Sequence, residues 1–239
     1  MVVNRDQYPA MSNFKVVGHD QPIGERDTAI VILDLRTGAS KLYRKLGSRG
    51  EDLKKIDQRP ALIVIDVQNG FDEAAWGARN NPLAEACVAL LMNTWRKAGA
   101  TVLHVHHCSV SSTGFFRPGT RGIEPKPQAI PRDDEAVYRK RVNSAFIGTT
   151  LEVDLRKQEI SSLVIVGLTT NHCVSTSVRM AGNLGFETYV VSDATATFAR
   201  AGADGRMRSA EEVHNAALGD LQGEFAEVVD TQTVIESMT

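Results

Sequence analysis

Val164-Ile-Val-Gly-Leu-Thr-Thr-Asn-His-Cys-Val-Ser-Thr-Ser177 is the stretch whose reading decides the fold. The β-branched apolar run from Leu163 to Val166 stops at Gly167. A polar turn follows, and then Val174, Val178, Met180 and Ala181 recur at helical spacing. The pattern predicts a strand, a tight turn and a helix, with Cys173 in the helix's first turn. Unpaired backbone N–H groups and the positive end of the helix dipole favour negative charge there, so the thiol is expected to shift toward thiolate. The same amides suit an oxyanion forming on a carbonyl attacked by the sulfur. Cys173 is therefore a candidate nucleophile, although most free cysteines are small buried hydrophobes.

Working outward, Ala61-Leu-Ile-Val-Ile-Asp66 is continuously apolar up to its terminal carboxylate, as in a parallel strand buried on both faces. Pro82 opens a helix that Gly99 stops, and Thr101 to His106 is the next strand. A loop from His107 to Pro131 holds four of the chain's eight prolines, and loops of that length inside a domain are usually functional. Ala136 to Arg139 reads as a short strand delivering Lys140, and Thr149 to Lys157 as a helix. Beyond the Cys173 unit, Glu187 to Asp193 is a strand, Ser209 and Glu212 form a capping box for a helix to about Leu221, and Ala226 to Val229 is the last strand. Such alternation predicts an α/β fold, a three-layer α/β/α sandwich with a mainly parallel, Rossmann-like sheet of about six strands. Ligands bind such sheets at the carboxyl ends of the strands, where Asp66, Lys140 and Cys173 all fall.

Composition narrows the function classes. The chain has 239 residues, 42 % hydrophobic and 23 % charged, ordinary values for a globular protein. A net charge of −2 leaves no footprint for nucleic acid or an anionic membrane. No apolar run reaches the ~20 residues of a membrane span. The N-terminal residues show no apolar signal region, and three cysteines without paired spacing suit a reducing compartment. A cytoplasmic location is the expectation.

An acid, an amine and a thiol at one sheet edge make chemical sense together. The aspartate can take the thiol's proton and return it to a leaving amine, while the ammonium keeps the carboxyl ionised. Ile65-Asp-Val-Gln-Asn-Gly-Phe71, Lys140-Arg-Val-Asn-Ser-Ala-Phe146 and Gly167-Leu-Thr-Thr-Asn-His-Cys173 resemble the three signatures of the isochorismatase-like cysteine hydrolases, among them the N-carbamoylsarcosine amidohydrolase-like amidases. The likeness runs from about Ala61 to the C-terminus. It implies Asp66 as general base, Lys140 as its support and Cys173 as nucleophile. It also implies a cis peptide at Leu168–Thr169, with the backbone N–H groups of Thr169 and Cys173 forming the oxyanion hole. Members that cleave the vinyl ether of isochorismate usually carry a small residue where this chain has Cys173, so the resemblance favours C–N hydrolysis. The metal-binding aspartate–histidine cluster of the family's nicotinamidases has no match after the first motif, since no histidine follows until His104. No metal or other cofactor is expected, and a nicotinamidase is disfavoured. His104 and His106 share one strand face, with His107 adjacent, and the sequence leaves their role open.

Substrate-binding candidates are Gln68, which is close enough to Asp66 to orient it, Phe71, Trp76, Phe116, Arg117 and Asn171. Phe115 and Phe116 offer an aromatic wall and Arg117 a bidentate grip on a carboxylate, or these residues pack on a neighbouring subunit. His172, adjacent to Cys173 in a helical turn, is expected to point away from it and to take a structural or pocket-edge role. Residues 1–58 are read as an N-terminal extension in which an irregular arm over residues 1–27 precedes a β-hairpin, Thr28 to Leu35 with Ala39 to Leu46. Residues 59–239 form the hydrolase domain. Asp34 ends a run like that before Asp66 but lacks the Gln-Asn-Gly-Phe that follows, so it is set aside as a decoy. The extension is expected to serve subunit contact or pocket cover, and the family commonly forms homodimers or homotetramers.

The reading is a cysteine hydrolase that cleaves a C–N bond of a small amide or carbamoyl substrate through a thioester on Cys173. A vinyl-ether hydrolase of the isochorismatase type, needing Asp66 but not Cys173, stays open. So does a catalytically silent binding or redox protein built on the thiol.

Overall fold

A computed structural model describes residues 60–238 and, before them, the backbone of three strands. These are β1 (Phe14–Gly18), β2 (Thr28–Asp34) and β3 (Ser40–Lys45), which pair antiparallel in the order β1-β2-β3. β2 and β3 are the two arms of the expected hairpin; its turn and the connection over residues 46–59 lie outside the described residues. β1 corrects the irregular arm. Phe-Lys-Val-Val-Gly is too short to display a period, and its pairing to β2 is set by a partner ten residues further along the chain.

The main sheet is wholly parallel, with six strands in the order β11-β8-β7-β4-β5-β6. They are β4 (Ala61–Ile65), β5 (Val102–His107), β6 (Val137–Lys140), β7 (Ser162–Leu168), β8 (Glu187–Ala196) and β11 (Glu227–Val229). The intervening β9 (Arg200–Ala201) and β10 (Met207–Arg208) form a small separate hairpin that the sequence pattern does not show. The chain enters at central β4, runs outward through β5 to β6, then crosses back to β7 on the other side. The carboxyl ends of β4 and β7 therefore flank the point where the winding reverses, the usual ligand crevice of such sheets.

Period-two alternation within the buried strands divides their side chains between two helical layers. Leu62, Val64, Val102, Val164, Val166 and Val191 pack beneath α1 (Ala84–Ala98) and α5 (Thr231–Ser237). Ile63, Ile65, Leu103, Val105, Leu163, Ile165 and Val190 face α2 (Leu151–Lys157), α3 (Ser175–Asn183) and α4 (Ala210–Gly219). α1 is almost entirely buried, and Trp95, fully inside, donates its indole N–H to Pro60 O at 2.7 Å. Gly99 ends α1 at φ 63°. The Ser209–Glu212 capping box opens α4 with both reciprocal bonds made, though the helix stops at Gly219, short of Leu221. α5 escapes sequence reading because it has only two turns. Its start is marked by Asp230, whose side chain accepts the Thr233 N–H at 2.8 Å.

One glycine sets the relation of β7 to β4. Gly167 sits at φ 118° beside an irregularity in the β7–β8 pairing, and a Cβ there would lie 1.9 Å from Ile65 O. Only glycine permits that backbone approach. The shift also lets β8 continue to Ala196, beyond the Asp193 that the sequence marks as its end. Gly167→Ala should therefore lose roughly 3 kcal/mol or more, or fail to fold. Gly219→Ala, at an open helical position, should change stability by less than ~1 kcal/mol. Paired denaturant melts check both.

Candidate active site

β4 ends at Ile65 and the next residue, Asp66, takes φ 51°, a left-handed conformation that aspartate tolerates better than most residues. The turn leaves Asp66 wholly buried at the strand's end. Two strands away, β6 ends on Lys140, equally buried, and its Nζ donates to Asp66 Oδ2 at 2.6 Å. Oδ1 has no hydrogen-bond partner among the described residues. β7 supplies the third group after the Leu168–Thr169 peptide, which is cis. The segment from Thr170 to Val174 is a single π-helical turn that leads into α3, a local irregularity frequent at functional sites. It corrects the expected plain helical start. Ser177 fixes the turn's exit by donating to Cys173 O at 2.7 Å and accepting the Ala145 N–H at 3.0 Å.

The Cys173 sulfur, an Asp66 oxygen and a His107 ring nitrogen all lie within 4.8 Å of one another. The thiol faces Asn143 Oδ1 at 3.8 Å. Its acidity departs from the sequence expectation. Burial, reinforced by the neighbouring Asp66 carboxylate, pushes the Cys173 thiol up to about 12, and Lys140 offsets this only in part. Desolvation and a like charge outweigh the amides of the turn, so no resting thiolate forms at neutral pH. Burial likewise raises Asp66 against the opposing pull of Lys140, making it a stronger base than an exposed carboxylate.

These groups line a cavity of about 310 Å³ with Phe71, Trp76, Phe116, Thr169 and His172. One wall is aromatic. Phe71 packs on Trp76 and Phe116 at centroid distances of 5.2 and 4.7 Å, Trp76 stacks on Phe198 at 5.3 Å, and the indole N–H donates to Gly70 O at 2.8 Å. Gly70 has no side chain because the Phe116 ring occupies the space, 2.6 Å from where a Cβ would stand.

Of the proposed substrate contacts, Phe71, Trp76 and Phe116 line the cavity and three others do not. Gln68 is fully buried, with its amide committed to backbone: it accepts the His107 N–H at 2.8 Å and donates to His107 O and Ile123 O. It therefore pins the long loop to the strand ends; its amide makes no hydrogen bond to the Asp66 carboxyl and is not among the described groups lining the cavity. Arg117 is exposed and donates to Ser112 O at 2.6 Å within its own loop. Asn171 accepts from Thr197 Oγ1 at 2.5 Å and lines a separate groove beside α3 and α4. His172 lines the cavity, at the pocket edge that the sequence reading allowed for it. Its Nε2 accepts from Arg200 at 2.6 Å, and burial followed by the Arg200 charge lowers its pKa.

Two lining residues escaped sequence reasoning. Asn143 lies inside the second motif, three positions after the lysine. His107, at the very end of β5, accepts from Lys140 Nζ through Nδ1 at 3.3 Å and meets the Phe116 ring edge-on. Strand alternation separates it from His104 and His106. His104 is buried against Glu135 at 2.9 Å, and His106 opens into another cavity, lowered by burial to about 4. The strand-end position was the available signal for His107.

The loop itself is held by charge. Glu85 on α1 accepts both guanidinium nitrogens of Arg79, at 2.7 and 2.8 Å, and Lys126 Nζ at 2.8 Å. The two cations hold its pKa down to about 2. Lys126 also reaches Asp72 at 2.5 Å, clamping the loop to the segment that carries Phe71 and Trp76.

The isochorismatase domain family matches residues 60–233. The isochorismatase family protein YrdC of Bacillus subtilis is 43 % identical over 180 residues, which cover 75 % of this chain and 96 % of that protein. Nicotinamidase 3 of Arabidopsis thaliana is 30 % identical over 214 residues, 84 % of this chain and 98 % of the relative. A solved structure of an isochorismatase family protein from Chromobacterium violaceum superposes with a TM-score of 0.74 at 41 % identity, covering 75 % of this chain and 93 % of that one. With the domain matched from the strand before Asp66 to the start of α5, and its sheet shared with that solved relative, the chain belongs to the isochorismatase family of hydrolases.

Proposed function

We propose that this hydrolase cleaves the C–N bond of a small, uncharged amide or carbamoyl compound through a thioester on Cys173. The observation that carries the reading is the juxtaposition of a protonated, buried thiol with a raised-pKa carboxylate whose Oδ1 is unpartnered. As Cys173 Sγ attacks the substrate carbonyl carbon, its proton passes to Asp66 and the C=O electron pair becomes an oxyanion. The backbone N–H groups of Thr169 and Cys173 receive that oxyanion. When the tetrahedral adduct collapses, the C–N bond breaks and Asp66 returns the proton to the departing nitrogen. Asp66 then deprotonates a water that attacks the thioester, and the sulfur leaves as the restored thiol. Lys140, bonded to Oδ2, holds the Asp66 carboxyl in position throughout and favours its ionised form between proton transfers.

Cavity size and lining support an uncharged substrate. About 310 Å³ is at the small end of ligand pockets; the described residues lining it include no lysine or arginine, and Lys140, behind Asp66, is already paired. A substrate rich in carboxylates, as the vinyl-ether reading requires, finds no free cation there. The aromatic wall suits a flat or apolar acyl group. A relative bearing the name nicotinamidase supports amide chemistry in general.

Brief mixing with a panel of small amides and carbamoyl compounds should add an acyl mass to the wild type, lost with time, and none to Cys173→Ala. Equal turnover of a vinyl ether by both proteins would instead favour the isochorismatase reading. Asp66→Asn should lower kcat by about 10²–10⁴-fold. Because burial raises the Asp66 pKa and only the ionised carboxylate accepts a proton, kcat/KM should fall on the acid side through a midpoint above the ordinary ~3.9.

The free enzyme also makes a distinctive prediction. With a thiol pKa of about 12, Cys173 should react with iodoacetamide at a rate that climbs steadily through pH 7–10. A plateau at neutral pH, read from peptide masses, would mean a resting thiolate and refute this account of the site.

A further inference from the structure

The proposed reaction uses no metal, yet its residues place three metal-binding donors of different kind around one point. We infer that Asp66, His107 and Cys173 form a site for one thiophilic divalent cation of the zinc class, and that its binding blocks the nucleophile. The three donor atoms all lie within 4.8 Å of one another. Zinc holds sulfur, nitrogen and oxygen at about 2.0–2.3 Å, so tetrahedral neighbours stand roughly 3.3–3.8 Å apart. The trio closes on a cation with shifts of about 1 Å or less.

Asp66 Oδ1 lacks a hydrogen-bond partner, while Oδ2 stays on Lys140. His107 Nδ1 accepts from the Lys140 ammonium, which leaves the ring proton on Nε2. A cation at Nδ1 displaces that lysine contact and leaves Nε2–H to donate, as the second ring nitrogen of a metal-bound imidazole usually does. Gln68 grips the His107 backbone through both N–H and C=O, which fixes the ring's position. All three donor residues line the cavity, which has room for a fourth ligand such as water. On binding, the Cys173 S–H bond breaks, its proton goes to solvent and the sulfur pair forms the S–metal bond; no electron is transferred. The Lys140 charge weakens the site, which keeps the block reversible by a chelator.

The site stands apart from the thioester reading, and its test needs no substrate. Zinc alone is titrated against the whole chain while iodoacetamide labels Cys87, Cys108 and Cys173, each followed by its own peptide mass. Cobalt alone is then added to read the thiolate-to-metal absorption. Zinc should protect Cys173, with Cys87 and Cys108 unaffected and protection removed by EDTA. Cobalt should give the thiolate band in wild type and none in Cys173→Ala. His107→Ala should need at least about tenfold more zinc for equal protection. His107→Gln, which can still accept from Lys140 but is a poor ligand, should behave the same way and serves if the alanine variant fails to fold. Equal protection of wild type and His107 variants would show capture by the thiol alone and overturn the three-donor site, as would no protection at all.

Discussion

The buried pair of Asp66 and Lys140 is the constraint on which the rest of the site depends. Both side chains are removed from water and meet at 2.6 Å. Two charges in that setting are stable only together, since removing one partner from a buried pair typically costs about 3–5 kcal/mol. The pair therefore requires β4 and β6 to end at the same height with β5 between them. It also explains how the carboxyl can be buried and still take the base's part in the proposed reaction. Its ammonium partner supplies the charge balance that water would otherwise provide, and occupies one oxygen while leaving the other open.

Around this pair the remaining parts act as supports. Gln68 locks the end of β5 and the long loop onto the end of β4 through three backbone bonds. Glu85, with Arg79 and Lys126, ties the same loop to α1. These polar anchors bring Phe116 against Phe71 and Trp76, so a loop with little regular structure becomes a rigid aromatic wall. The cation proposal rests on the same rigidity, because Gln68 fixes the His107 backbone whose ring completes the trio.

The acidity of Cys173 shows how environment overrides local motif. The amides of a helical turn favour a thiolate, but the turn here is buried and faces a carboxylate. Desolvation and like charge dominate, so burial and the Asp66 carboxylate hold the thiol in its protonated form.

The layered α/β fold, the parallel sheet and the strand-end placement of Asp66, Lys140 and Cys173 were legible in the sequence, because buried strands write themselves as continuous apolar runs and the three motifs carry their chemistry at fixed offsets. Phe71, Trp76 and Phe116 were legible as a wall because aromatic residues cluster in the first motif and the long loop. The sequence also misled at definite places. Gln68 looked like an orienting or substrate group, Arg117 like a carboxylate grip, and His107 merged with its neighbours. Which of these face the cavity depends on backbone partners distant in the chain, on the bulge at Gly167 and on the turn after β7. β1 and α5 were hidden for a related reason, being too short for a period and defined by what they pair with or by a single cap. Local chemistry and hydrophobic pattern are properties of neighbouring residues and can be read in order; orientation, burial and the resulting pKa values arise from non-local contacts, and only the tertiary structure decided them.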